Sequence, residues 1–325
     1  MITHKTAILT AMLAGGMLAM GAAHAHPINA FLGSGPTLLS DNSAEQFIDV
    51  TETGTLDVGD RLRGIFQIET FESLITAAQT DLSATPYELK GLFDIEVIQK
   101  DVFNLVDGSG NVIGQQFQFT FGAYDGFATE ADNSGWTAGE VDGLAAVFFA
   151  DDRDNDFDFA RLTLASSPCV AARGETGTAA IAALEGCATN GDMMWAMGFD
   201  ATPGTGWATG LLATDDPAAI GGLPLGQAAG QFNVSLNVLQ YGVGRELLRN
   251  VDSTIAAGEF VDAAGSGGLL EKGTSQTPFD LFNNIDVTVN PVPEPGTVAL
   301  FGLGALGLGL LGWRRSRRHD AHLTT

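Results

Sequence analysis

Apolar residues recur at every second position through several separate stretches of this chain, and that period leaves little choice of fold. Phe93, Ile95 and Val97 alternate with Asp94 and Glu96, and Phe117, Phe119 and Phe121 with Gln116, Gln118 and Thr120. Phe232, Val234, Leu236 and Val238 alternate with Asn233, Ser235 and Asn237, and Ile285, Val287 and Val289 with Asp286 and Thr288. A strand throws successive side chains to opposite faces, so each stretch reads as a strand with one buried and one wet face. The polar partners are mostly Gln, Asn, Ser and Thr, which suits an antiparallel sheet open to water on one side.

Turn signals separate these stretches. Val102–Val106 and Val112–Phe121 are joined by Asp107-Gly108-Ser109-Gly110-Asn111, a strong hairpin signature. Residues 144–150 and 157–165 bracket an acidic loop and read as a second hairpin. Further strands are expected over Phe47–Thr53, Leu62–Thr70, Met193–Phe199 and Trp207–Ala213, with short helices over Glu72–Thr80 and Thr178–Leu184. The Gly- and Ala-rich stretches 201–230 and 256–268 read as loops or poorly packed edges. Many short strands with Gly-rich turns predict a mainly β fold, an antiparallel sandwich or jelly-roll.

Both ends carry export features. One Lys precedes the apolar run 7–20, and Ala23-His24-Ala25 has the form of a signal-peptidase site, so removal of residues 1–25 is expected. At the other end, Asn290–Pro295 is Pro-rich and extended, and it leads into the uncharged segment 298–313 and the cluster Arg314-Arg315-Ser316-Arg317-Arg318. A helix of that length spans ~24 Å, slightly under a ~30 Å hydrocarbon core, with the arginines on the cytoplasmic side.

The triplet Pro293-Glu294-Pro295, the short apolar segment and the basic pair Arg314 and Arg315 together resemble the PEP-CTERM sorting signal of exported bacterial proteins. The resemblance implies handling by an exosortase that cuts at or near the triplet. It also implies a Gram-negative host, a cell-surface or matrix destination, and a link to exopolysaccharide, biofilm and floc. It covers under a tenth of the chain. The expected organisation is a signal peptide (1–25), a β-rich ectodomain (26–290), a sorting and membrane segment (291–318) and a cytoplasmic tail (319–325). Membrane contact is expected only through the C-terminal segment, before processing.

Residues 26–313 hold 10 Lys and Arg against 38 Asp and Glu, a net charge of −28. Such a surface repels nucleic acid and anionic lipid and attracts divalent cations. Of the five histidines only His26 survives removal of both ends, which excludes a Ser-His-Asp triad, a Cys-His pair and a multi-His metal site within one mature chain. Cys169 and Cys187 are exported together and are expected to form a disulfide, worth ~3 kcal/mol for a loop of this length.

The densest oxygen cluster is the acidic run from Asp151 to Asp158. In a loop, Asp152, Asp154 and Asp156 would converge on one Ca²⁺ as the cofactor. The spacing fails the EF-hand pattern, because Phe157 stands where Gly is needed and Thr163 where Glu is needed. A solvated acidic hairpin tip is the plainer reading. The G-x-G-x-x-G match at Gly302–Gly307 lies in the apolar tail, with no strand–helix unit around it, and carries no dinucleotide signal. Trp136, Trp195, Trp207, Tyr87, Tyr124 and Tyr241 would stack on sugars if exposed, and Tyr124-Asp125-Gly126-Phe127, in an expected loop, is the best placed.

A non-enzymatic, structural or adhesive exported protein accounts for these features best, with signal peptidase and exosortase as processing partners and exopolysaccharide as the matrix partner. The alternative is a secreted glycan-binding module or a carboxylate-dependent glycan-active enzyme, which abundant acidic residues permit without singling out a pair.

Overall fold

A computed structural model describes residues 26–33, 35–152, 178–199, 208–212, 214–215, 228–255, 258–270, 279 and 281–292. Residues Ala25–Pro291 form one compact unit, and among the described residues it is antiparallel β with two α-helices. The strands are β1 (Thr37–Ile48), β2 (Arg61–Ser73), β3 (Gln79–Asp81), β4 (Tyr87–Val106) and β5 (Val112–Ala123). After helix α1 (Asp125–Asn133) comes β6 (Leu144–Asp152), and after helix α2 (Thr178–Ala188) come β7 (Asp192–Gly198) and β8 (Ala208–Leu212). The remaining strands are β9 (Ala228–Tyr241), the short pair β10 (Val251–Asp252) and β11 (Phe260–Val261), β12 (Ala263–Leu270) and β13 (Leu281–Val289).

Eleven of these strands make one sheet in the order β3-β2-β1-β13-β12-β9-β7-β6-β4-β5-β8. Two further pairings, β2 with β4 and β9 with β8, turn the sheet back on itself. The long strand β4 makes this possible. Its first half pairs β2 along one edge and β6 along the other, and its second half continues alone into the β5 hairpin. A closed sheet removes the unpaired edges that an open one exposes.

Closure creates an interior packed by the apolar phase of the alternation. Phe119 and Phe121 from β5, Ile95 and Val97 from β4, Phe232 and Leu236 from β9, and Val287 and Val289 from β13 all belong to this core. A second cluster lies on the outer face of β1, β2, β4, β6 and β7. There Phe127, Ala128 and Ala131 of α1 and Ile181, Leu184 and Ala188 of α2 pack on Ile65, Leu92, Val147 and Phe149. Both helices present apolar residues at i, i+3 and i+4 or i+7 spacing, one face of a 3.6-residue repeat. The unbroken run Leu144–Ala150 follows from this layering, since every one of its residues is buried between the core and the helices.

Several expectations need correction. The helix expected over Glu72–Thr80 is the end of β2, a turn and β3, with Thr70, Phe71 and Glu72 paired to Asp81, Thr80 and Gln79. A nine-residue helix is marginal alone, and strand pairing to β2 outweighs its propensity. The strand expected at Phe47–Thr53 lies earlier, ending at Ile48. Residues 49–60 fold back as a loop in which the Asp49 carboxylate accepts from the Thr53 and Gly54 N–H groups and Asp60 accepts from those of Thr51 and Asp57. Of the hairpin expected between 144–150 and 157–165, the first arm is β6, which pairs with β4 and β7. Residues 157–165 themselves lie outside the described residues.

The stretch 256–268 is not an edge. Its residues from Ala263 form β12, paired on both sides in the middle of the sheet. Glycine is what lets it sit there: a Cβ on Gly267 would come within 1.8 Å of the Asn284 carbonyl oxygen. The hairpin at Asp107–Asn111 forms as expected, with Val106 paired to Val112. The Asp107 carboxylate accepts from the Ser109 and Asn111 N–H groups, and Gly110 takes φ +83°.

Candidate functional site

β1 carries an interruption in its own apolar phase. Leu39 and Phe47 point to the interior, and between them on the same face stand Asp41, Ser43 and Glu45. These three, with Asn283 of β13, form a polar corner in a cavity of about 80 Å³ whose remaining wall is apolar, including Phe66, Phe148, Phe232 and Val287. The register of β1 against β2 shifts between Ser40 and Asp41, and the Asp41 carboxylate accepts from the Ile285 N–H at 2.7 Å. The Ser43 hydroxyl donates to Glu45 Oε1 at 2.9 Å. Among the described residues Glu45 Oε2 and Asn283 Oδ1 find no hydrogen-bond partner, although both residues are only 2% exposed.

Burial in this apolar chamber raises the Glu45 carboxyl from 4.5 to about 7, against the opposing pull of Ser43 and Asn283. Burial likewise pushes Asp41 well above its ordinary value, with the Ile285 N–H opposing and the nearby carboxylates of Glu45, Asp286 and Glu69 adding to the rise. Among the described residues no cation lines the chamber. The corner therefore offers hydrogen-bond acceptors and a carboxyl that exchanges its proton near neutrality.

A second titratable group lies outside the sheet, beneath the helices. Arg63 on β2 donates to Glu130 of α1 at 2.7 and 2.8 Å, to Glu185 of α2 at 2.6 Å and to Asp94 of β4 at 3.0 Å. Arg61 also pairs with Asp94 and stacks its guanidinium 3.5 Å over the Tyr124 ring. Burial works against the Arg63 charge, but Glu130 and Glu185 hold it firmly protonated. Asp94 has a fully covered side chain, and burial raises its carboxyl despite both arginines. The periodicity marked Asp94 as facing water. It is buried because helices from distant sequence cover that face. This cluster ties the helices to the sheet and offers no open ligand position.

The aromatic candidates are mostly structural. Trp195 is fully buried, with its Nε1–H donated to the Arg245 carbonyl at 2.8 Å. Trp136 packs on Phe127 and Phe149. Tyr124 lies under Arg61, and residues 125–127 begin α1 rather than forming a loop, with Phe127 fully buried. Tyr87 contacts His26 and Phe31, while Tyr241, 40% exposed, accepts from the Leu247 N–H. Trp207 lies outside the described residues.

Of the residues expected to bind Ca²⁺, Asp152 ends β6 at the surface, and Asp154 and Asp156 lie outside the described residues. Among the described residues no group of three or more His, Cys, Asp or Glu is placed to hold a metal. Cys187 sits in α2 against the outer cluster, and Cys169 is outside the described residues. The same holds for Ala23, Ala25, Pro293, Glu294, Pro295, Arg314 and Arg315. Among the described residues no helix is long and apolar enough to cross a membrane.

The polar corner lies on β1, which begins at Thr37, ten residues before the strand expected from Phe47. Its signal was present: Asp41, Ser43 and Glu45 continue the two-residue phase of Leu39 and Phe47.

No curated protein and no solved structure matches this chain. Residues 291–318 match the family model of the PEP-CTERM protein-sorting motif. The match begins where the last strand has ended, at Pro291, which bridges to Leu247. The chain thus carries the sorting signal of exosortase substrates, proteins exported to the cell surface or beyond it.

Proposed function

We propose that this protein is a structural or adhesive component of the extracellular matrix of a polysaccharide-producing, Gram-negative bacterium, without enzymatic activity of its own. The observation that carries the reading is the sorting motif at 291–318, set directly behind a β unit that ends at Pro291. The β unit is self-contained: its first residues are tied down by Asn29, which bonds both Val243 and Arg245, and its last by the Leu248 N–H on the Asn290 carbonyl at 2.7 Å. An acidic protein among acidic polysaccharides needs divalent cations to bridge like charges, so association should weaken with chelator or high salt.

The test deletes the gene and restores it as wild type or with Glu294→Ala. Loss of biofilm cohesion in the deletion, rescued by wild type and not by the Glu294 variant, is the expected result. Mass spectrometry of surface protein should find neither residues 1–25 nor the arginines at 314–318. Intact C-terminal tails would overturn exosortase processing, and normal cohesion in the deletion would overturn the matrix role.

A further inference from the structure

We propose that the chamber inside the sheet binds a small primary amine, its ammonium head seated on Glu45 and Asn283 and its apolar body against the surrounding phenylalanines. This binding site is separate from the sorting signal and from the matrix role.

The wall chemistry selects the ligand. Among the described residues Glu45 Oε2 and Asn283 Oδ1 are buried acceptors with no donor, an arrangement native interiors rarely leave unanswered. The nearby donors are already engaged, since the Ser43 hydroxyl serves Glu45 Oε1, the Asn283 side-chain amide also bonds Glu45, and the Ile285 N–H serves Asp41. The charged residues on the wall, Asp41 and Glu45, are both acids. An ammonium brings three donors, no acceptor, and the positive charge that an ionised Glu45 lacks. An alcohol brings a single donor and no charge.

The volume sets the size. About 80 Å³ on a scale where one water occupies roughly 10–15 Å³ holds about five to eight water-sized groups. Water itself suits only the polar corner, because the rest of the wall offers nothing to hydrogen-bond. Phe66 and Phe148, with ring centroids 4.6 Å apart, and Phe232 offer an apolar seat for a short alkyl or single-ring body. The acidic exterior raises the local concentration of any cation at the surface.

The experiment titrates full-length protein with benzylamine and with benzyl alcohol, its neutral counterpart, by calorimetry at about pH 8. Benzylamine should bind about tenfold or more tightly than the alcohol, and Glu45→Gln should erase that preference while leaving the alcohol nearly unaffected. Ala146→Leu, which fills the chamber and keeps Glu45, should abolish binding of both, and it decides the matter if the Glu45 variant does not fold. Equal affinities for amine and alcohol, amine binding unchanged in Glu45→Gln, binding that survives Ala146→Leu, or no binding of benzylamine would each overturn the proposal.

Discussion

Replacing Glu45 with Gln keeps the shape of the side chain and removes its charge, so the variant should outlast the wild type above neutrality. The folded protein holds the Glu45 proton more tightly than the unfolded chain does, because burial raises the carboxyl from 4.5 to about 7. Its contribution is complete below pH 4.5 and is lost as pH rises through about 7. At ~1.4 kcal/mol per tenfold change in proton affinity, the loss by about pH 8 is about 3 kcal/mol. Asp41 beside it on β1 is pushed the same way, and Asp94, Glu96 and Asp262 are raised elsewhere, so the wild type should be most stable in mild acid. The difference between wild type and variant isolates Glu45. Around it stand Asp41, Ser43 and Asn283, with no cation on the chamber wall among the described residues. Thermal unfolding of both proteins from about pH 4.5 to 8.5 should give curves that meet at the acidic end and diverge by roughly 6–12 °C at the basic end. Parallel curves, or a variant less stable at high pH, would refute the reasoning, since the carboxylate would then be paid for by a partner absent from this structure.

Three other perturbations test separate parts of the molecule. Arg63→Ala should cost about 2–4 kcal/mol in urea unfolding: breaking a buried pair costs ~3–5, discounted because Glu130 is 38% exposed and water can replace the arginine there. Arg63→Lys should recover only part of that, lacking the planar fork that reaches Glu130, Glu185 and Asp94 together. A non-reducing peptide map of exported protein should link Cys169 to Cys187, and Cys169→Ser should lower the melting temperature without blocking secretion. If Asp152, Asp154 and Asp156 ligate Ca²⁺, millimolar calcium should raise the wild-type melting temperature and the triple Asp→Asn variant should lose that increment; equal shifts in both would mean diffuse charge screening.

Much of the strand inventory could be read directly. Phe117, Phe119 and Phe121, or Ile285, Val287 and Val289, reveal their shared face through a two-residue period that no tertiary contact alters. The Asp107–Asn111 turn was equally legible, because its carboxylate and glycine act within five residues. Local chemistry also carried the sorting motif, which is recognised by order along the chain rather than by shape.

The sequence by itself determined three things: which residues share a strand face, where the tight hairpin turns, and that the chain carries a C-terminal sorting signal. The tertiary structure alone decided what covers each face. Period two places Asp94 opposite Phe93, yet whether that side meets water or helices depends on Glu130 and Glu185, which lie more than thirty residues away. It also decided that Gly-rich β12 lies mid-sheet and that the Asp41–Glu45 face turns inward, because pairing with β2 and β13 is set by partners distant in the chain. Burial is a property of the neighbours a residue acquires on folding, and from it come the raised carboxyl of Glu45, the chamber and the ligand it would accept.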